Sequence, residues 1–191
     1  LRRTSTYIRD FPTSRFVLPR GTWEEGRIDN AYHAFRAGGL DWLVVNLEPW
    51  ARPEPIAWAG RVIQEHPHHN VIIVTHAHMT GGGRIQPNNG GYGDTSAQAV
   101  FEQLMAPQPN VRVVLCGHAG SHGYRVDHGT HGNPIHQFLQ CYHDNRTNPT
   151  RLLEIDTAAG TIASRVYCPY TDETKEDGST FTVTGIEWVQ P

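Results

Sequence analysis

The stretch that most constrains this chain is Val71-Ile72-Ile73-Val74-Thr75-His76-Ala77-His78, an apolar run that stops at two histidines. Preceded by the turn formers His69-Asn70 and followed by Gly81-Gly82-Gly83, it predicts a strand buried on both faces, as in a parallel sheet. The pattern returns in Val111-Arg112-Val113-Val114-Leu115-Cys116, followed by Gly117-His118-Ala119-Gly120-Ser121-His122-Gly123. In open α/β sheets the loops that build sites gather at the carboxyl ends of such strands. Neighbouring strands therefore bring the imidazoles of His76 and His118 together, beside glycines that allow a ligand to approach closely, and this predicts a metal site.

A length of 191 residues suits one domain with a hydrophobic core, or part of a larger one. Lys and Arg number 16 against 19 Asp and Glu, and no basic block tracks a phosphate backbone, so nucleic-acid scaffold binding is not expected. No apolar run approaches the roughly 20 residues of a membrane helix, so no membrane partner is expected either. The chain starts Leu1-Arg2-Arg3-Thr4, without Met or an apolar signal segment, and the expectation is that something preceded it. The cysteines Cys116, Cys141 and Cys168 show no Cys-x-x-Cys spacing, which sets aside a zinc ribbon; a Cys141 to Cys168 bridge stays open.

In chain order, residues 1–26 predict an extended segment with a short strand near Arg15 to Leu18. Ile28 to Arg36 and Trp42 to Glu48, joined by Gly38-Gly39, predict a hairpin. Pro53 and Pro55 suit a helix beginning near Glu54, with Ile56, Ala59, Gly60 and Ile63 on one face and an end near His66-Pro67. A glycine-rich loop, Met79 to Thr95, is long enough to suggest function. Thr95 or Ser96 caps a helix through Met105. Strands and helices alternate to this point, predicting an α/β fold. Beyond His122, Pro134 to Tyr142, Arg151 to Asp156 and Thr161 to Tyr167 predict antiparallel strands. An acidic loop follows over Asp172 to Asp177, then an edge strand over Thr180 to Trp188.

Two imidazoles do not complete a hydrolytic metal centre, which normally has three or more protein ligands and a water. His78 and His122 are further candidate ligands, since residues two apart on an extended chain point the same way. No Asp closes another buried parallel strand; Glu48 ends the Trp42 strand, and Asp94 and Asp127 fall in predicted loops. Arg125 and Arg52 are candidate phosphate contacts through bidentate guanidinium bonding. Asn133 is a candidate substrate-binding residue, and both it and His136 suit supporting roles. Trp23, Trp50, Trp58 and Tyr92 are candidates to line a cleft or to pack.

Several of these stretches, taken together, resemble the C-terminal half of a bacterial calcineurin-like metallophosphoesterase. They are Thr75-His76, Gly117-His118, Asp127-His128-Gly129, Gly132-Asn133-Pro134-Ile135-His136-Gln137 and Tyr167-Cys168-Pro169. Phe11-Pro12-Thr13-Ser14-Arg15-Phe16, Gly38-Gly39-Leu40-Asp41-Trp42-Leu43 and Asn46-Leu47-Glu48 resemble the same branch. The resemblance implies a β-sandwich flanked by helices, with residues 1–170 forming part of that domain and residues 171–191 an acidic loop and terminal edge strand. It also implies a dinuclear centre of divalent or trivalent ions (Zn, Mn, Fe or Ca), a bridging hydroxide that attacks phosphorus, and a phosphate-ester substrate, either monoester or diester. His76 matches the family's lone His and His118 the first His of its Gly-His-x-His motif. Gly120 stands where that motif has its second His, leaving the role empty or to His122.

The family's Asp-x-His, Gly-Asp and Gly-Asn-His motifs, and with them its general-acid His, are absent. The sandwich is therefore expected to be incomplete, lacking its N-terminal strands and exposing an apolar sheet face. The expected function is metal-dependent phosphoester hydrolysis by the intact protein, inactive in this segment without the missing half or a chain supplying it. The alternative is a non-catalytic metal-binding or assembly module. A serine or cysteine hydrolase through Ser121 or Cys116 ranks last for want of a Gly-x-Ser-x-Gly elbow. Members of this branch are often exported, which implies a secreted or periplasmic location.

Overall fold

The computed structural model describes residues 6–16, 20–91, 93–142 and 148–191. The fold is mixed α/β, dominated by sheet, with few helices. The described chain starts with α1 (Thr6–Asp10), a 3-10 turn at Thr13–Arg15 and the short β1 (Gly21–Thr22). Arg15 closes that turn, so the strand expected there does not begin at Arg15; residues 17–19 lie outside the described residues.

β2 (Ala31–Ala37) and β3 (Leu40–Leu47) form the expected hairpin. Gly38 and Gly39, at φ 58° and 79°, supply the two left-handed residues that a tight turn matching strand twist requires. α2 (Pro53–Gln64) starts with proline in its first turn and buries Ile56, Ala59, Val62 and Ile63. β4 (Asn70–Ala77) follows. α3 (Ala97–Val100) is capped by Ser96, whose Oγ accepts from the Ala99 N–H at 3.0 Å, and continues as a π-helical turn over Phe101–Met105. The adjacent Thr95 hydroxyl instead donates to Ala51 O. β5 (Val111–Gly117) completes a parallel trio with β3 and β4.

β6 (Ser121–His128) and β7 (Pro134–Cys141) extend this sheet to seven strands in the order β1-β2-β3-β4-β5-β7-β6. Pro134 to Tyr142 was expected among antiparallel partners, but β7 lies parallel to β5 and antiparallel to β6. Asp127 sits inside β6 rather than in a loop. Read along the chain, β6 lacks a β-branched run because it is a sheet edge whose mixed His, Gly, Arg and Asp residues are only half-buried or exposed.

A second, antiparallel sheet contains β8 (Thr150–Asp156), β9 (Thr161–Cys168), β10 (Glu173–Thr174) and β11 (Phe181–Val183). β9 lies at its centre, with β8 on one side and β10 and β11 on the other. Alternation along the large sheet feeds two cores. Leu43, Ile73 and Val114 face α2 and α3, while their neighbours Trp42, Ile72 and Val113 face Ile162, Phe181 and Val183 of the second sheet. Burial on both faces is why β4 and β5 read as continuous apolar runs.

Residues 171–191, expected as an acidic loop and an edge strand, contribute β10, β11 and the core side chains of Ile186 and Trp188. The buried Asn70 amide holds this tail, donating to Val189 O at 2.9 Å and accepting from the Val189 N–H at 2.9 Å. The face expected to lie bare is thus covered by the second sheet along the amino-terminal halves of the parallel strands.

Candidate metal centre

Along its carboxyl-terminal half the same face opens into a cavity of about 1240 Å³ whose wall includes Asn46, Val74, His76, Leu115 and Gln140. The chain after β3 (Glu48, Pro49 and Trp50) and the ends of β4 and β5, at His76 and Gly117, line it as well. His118 Nδ1 lies 3.0 Å from His76 Nε2, with ring centroids 4.9 Å apart and planes at 74°. Desolvation, then the neighbouring His118 ring, holds the His76 pKa below its ordinary value. This favours the neutral imidazole that a metal ligand must be.

The backbone around the pair is held in an uncommon conformation. His118 has φ 72° and Trp50 has φ 46°, both left-handed without being glycine, which costs about 1 kcal/mol or more each. Their rings meet edge to face at 5.1 Å and 83°. Gly93 fixes this corner from outside, since a Cβ there would lie 2.1 Å from Trp50 Cβ. The glycine-rich loop can therefore press against the residue that walls His118.

His78 does not join the pair. Val74 stands opposite Leu115 while Ala77 stands opposite Gly117, so β4 carries one residue more than β5 across that interval. The bulge shifts the alternation, leaving His76 toward the cavity and His78 fully buried on the helix side. There His78 Nε2 sits 2.5 Å from Gln137 Oε1.

His122, opposite Gln140 on β6, faces a different set of groups, with Nδ1 3.1 Å from Tyr142 Oη and 3.6 Å from Asp177 Oδ2. Tyr142 also donates a short hydrogen bond to Asp177. Burial pushes the Asp177 carboxyl up, but hydrogen bonds from Ser179 and Tyr142 and the proximity of His122 outweigh it and hold the pKa at about 2. A carboxyl held below its unfolded value stabilises the fold at pH above about 4 and loses that contribution as pH falls toward about 2. Urea midpoints are accordingly expected to fall between pH 4 and 2 in the parent and to fall less in Asp177→Asn; parallel curves would show that the Asp177 carboxylate contributes nothing.

Arg125, a candidate phosphate contact, points to the helix side, away from the imidazole pair, donating to Asp127 at 2.6 and 2.5 Å and to Gly83 O at 3.1 Å. Arg52 is committed to Glu48, at 2.8 and 2.9 Å, and lies over the Trp23 ring at 4.5 Å. Asn133, a candidate substrate-binding residue, precedes the amino end of β7, at the opposite end of the sheet from His118. Its amide there donates to Gln108 O and Val111 O at 3.1 and 3.2 Å. His136 is buried with Nδ1 2.9 Å from Tyr124 Oη. Trp58 packs against the helix-side core, and Tyr92 lies outside the described residues.

Cys116, Cys141 and Cys168 are all thiols, so the Cys141 to Cys168 bridge is not formed. Burial pushes the Cys116 thiol up to about 12, and it donates to Phe138 O, which removes it as a nucleophile. The missed features are the bulge and the bonding of Arg125, Asp127, Gln137 and His78. Both depend on strand pairing, which spacing along the chain does not encode.

Among the described residues no group of three or more His, Cys, Asp and Glu side chains is placed to hold a metal ion. The donor set is two imidazoles. Their 3.0 Å separation is nonetheless about that of two nitrogens sharing one ion at roughly 2.0–2.1 Å, so the pair fits part of a metal shell.

No family model matches the chain. It is similar to the uncharacterized protein YvnB of Bacillus subtilis, 26% identical over 148 residues, which are 73% of this chain and 11% of that protein's length. Among solved structures it is similar to a Staphylococcus aureus chain named "Putative 5'-Nucleotidase", in complex with alpha-ketoglutarate. The TM-score is 0.40 and the identity 13%, over 86% of this chain and 31% of that one. Among the described residues no helix is long and apolar enough to cross a membrane.

Proposed function

We propose that this chain carries part of the metal centre of a calcineurin-like metallophosphoesterase and that the whole protein hydrolyses a phosphate ester. The observation that carries this reading is the convergence of His76 and His118 at the ends of adjacent parallel strands, with His76 in the wall of a large cavity. In this reading both histidines hold one ion of a pair, and the ions supply phosphoryl polarisation and a hydroxide near neutral pH. The carboxylate, Asn and general-acid His that the family adds come from a segment outside these 191 residues. That segment completes the sandwich over the cavity side of the large sheet, and export to a secreted or periplasmic location belongs to the same proposal.

A second reading is favoured by the absence of a carboxylate beside the pair among the described residues. The chain is then a non-catalytic module that holds an ion or assembles with a partner. Elemental analysis together with bis(p-nitrophenyl) phosphate hydrolysis separates the two, using this chain and a version extended at its amino end. The phosphoesterase reading expects about two ions per molecule and turnover from the longer chain alone. A longer chain that binds metal without turnover points to the module, and one that is metal-free and inert removes the role assigned to the histidines.

A further inference from the structure

Beneath the glycine-rich loop, on the helix side of the large sheet, four side chains form a continuous polar line. Arg125 donates to Asp127, the Gln137 amide donates to Asp127 Oδ2 at 2.5 Å, and Gln137 Oε1 faces His78 Nε2 at 2.5 Å. Because Gln137 gives its N–H to Asp127, its oxygen is the atom left for His78, and His78 Nε2 carries the proton. The line ends at His78 Nδ1, which is buried and meets no partner in the described structure. A buried acceptor left in this state is costly, and one in a native fold calls for an explanation.

A void of about 10 Å³ lined in part by His78 lies between the start of α3 and the carboxyl ends of β3 and β4. Its wall includes aliphatic Leu47, Ala97 and Val100 and three polar side chains, His78, Thr75 and Trp50. The volume is about that of one water, and an ordered water needs two to four polar partners. We propose that one buried water occupies this void, donating to His78 Nδ1 and bonding to the Thr75 hydroxyl, with the Trp50 ring closing its cage. Thr75 precedes His76, and Trp50 abuts His118. The water therefore links Thr75, beside His76, through His78 and Gln137 to the Arg125–Asp127 ion pair, with Trp50 packed over it. His78 is in this account a positioning residue and not a ligand; that part rests on the metal reading above, whereas the water itself does not.

The test uses the full chain and Thr75→Val, which keeps the shape and removes the hydroxyl. A high-resolution crystal structure is expected to show a water in the void of the parent. Thr75→Val is expected to lower Tm by about 2–4 °C and to weaken Co²⁺ binding, titrated with the metal alone, by about tenfold. A dry void in the parent, or a Thr75→Val protein as stable as the parent, overturns the water site. Co²⁺ affinity unchanged within about twofold, with the water present, overturns the positioning role. A parent that binds no Co²⁺ also overturns the positioning role, through failure of the metal reading, and leaves the water arm standing on its own. Should Thr75→Val fail to fold, the parent crystal structure decides the water site by itself, and Thr75→Ser, which keeps the hydroxyl, is expected to retain the water.

Discussion

Glycine in place of His118 is expected to weaken Co²⁺ binding by at least about 100-fold while leaving the metal-free Tm within about 4 °C of the parent. The binding loss follows from removing one of the two imidazoles whose nitrogens stand 3.0 Å apart. The small change in stability follows from opposing terms at an exposed residue. Relief of the left-handed backbone at φ 72° returns about 1 kcal/mol, against roughly 0.5–1 kcal/mol for the added freedom of glycine in the unfolded chain. The lost edge-to-face contact with Trp50 costs up to about 1 kcal/mol more. His118→Ala keeps the backbone penalty and is expected to melt lower than His118→Gly, with the same loss of metal. Cobalt absorption titrations and metal-free thermal melts read the two effects separately. Parent-like Co²⁺ affinity in the glycine variant would sink the assignment of the pair.

The sequence revealed the parts of this fold where one residue type decides the outcome locally. Val71 to Val74 and Val111 to Leu115 announce strands buried on both faces, Gly38-Gly39 announces a tight turn, and Ser96 announces a helix start. The meeting of His76 and His118 was legible because adjacent parallel strands align their carboxyl ends. What was not legible depends on pairing between distant segments. The bulge that turns His78 away exists only as a mismatch between Val74–Ala77 and Leu115–Gly117. Arg125 looks like a phosphate contact until β6 and β7 pair and place it with Asp127 and Gln137. Asn133 lies near the site in motif order, yet β7 runs parallel to β5, and this sets Asn133 at the far end. The tail was hardest to interpret, because its apolar residues Ile186 and Trp188 follow no strand period and pack among residues of both sheets, from Leu40 and Trp42 to Ile162.

That tail gives the largest expected loss of stability. Trp188→Ala is expected to cost about 3–5 kcal/mol, a fall in Tm of about 10 °C, while Co²⁺ affinity at His76 and His118 stays within about twofold of the parent. Trp188 is 7% exposed, meets the Trp42 ring edge to face at 5.2 Å, and belongs with Val113, Phe138 and Ile162 to the core between the sheets. Truncating it opens a cavity where neighbours on two sheets cannot both collapse, since the large sheet is held from its other face by α2 and α3. Nearby side-chain hydrogen bonds to the tail's backbone, from the Asn70 amide to Val189 and from Arg112 Nε to Glu187 O at 2.9 Å, keep the tail attached. The loss is therefore one of packing and not of the whole segment. Separation of the two effects rests on position along β4: Asn70 is paired with Trp42, and His76 lies six residues further on, about 20 Å along the strand. A Trp188→Ala protein with parent-like Tm would mean that the tail does not seal this core. One that also lost Co²⁺ binding would mean that the second sheet sets the geometry of the histidine pair from the opposite end of the strands.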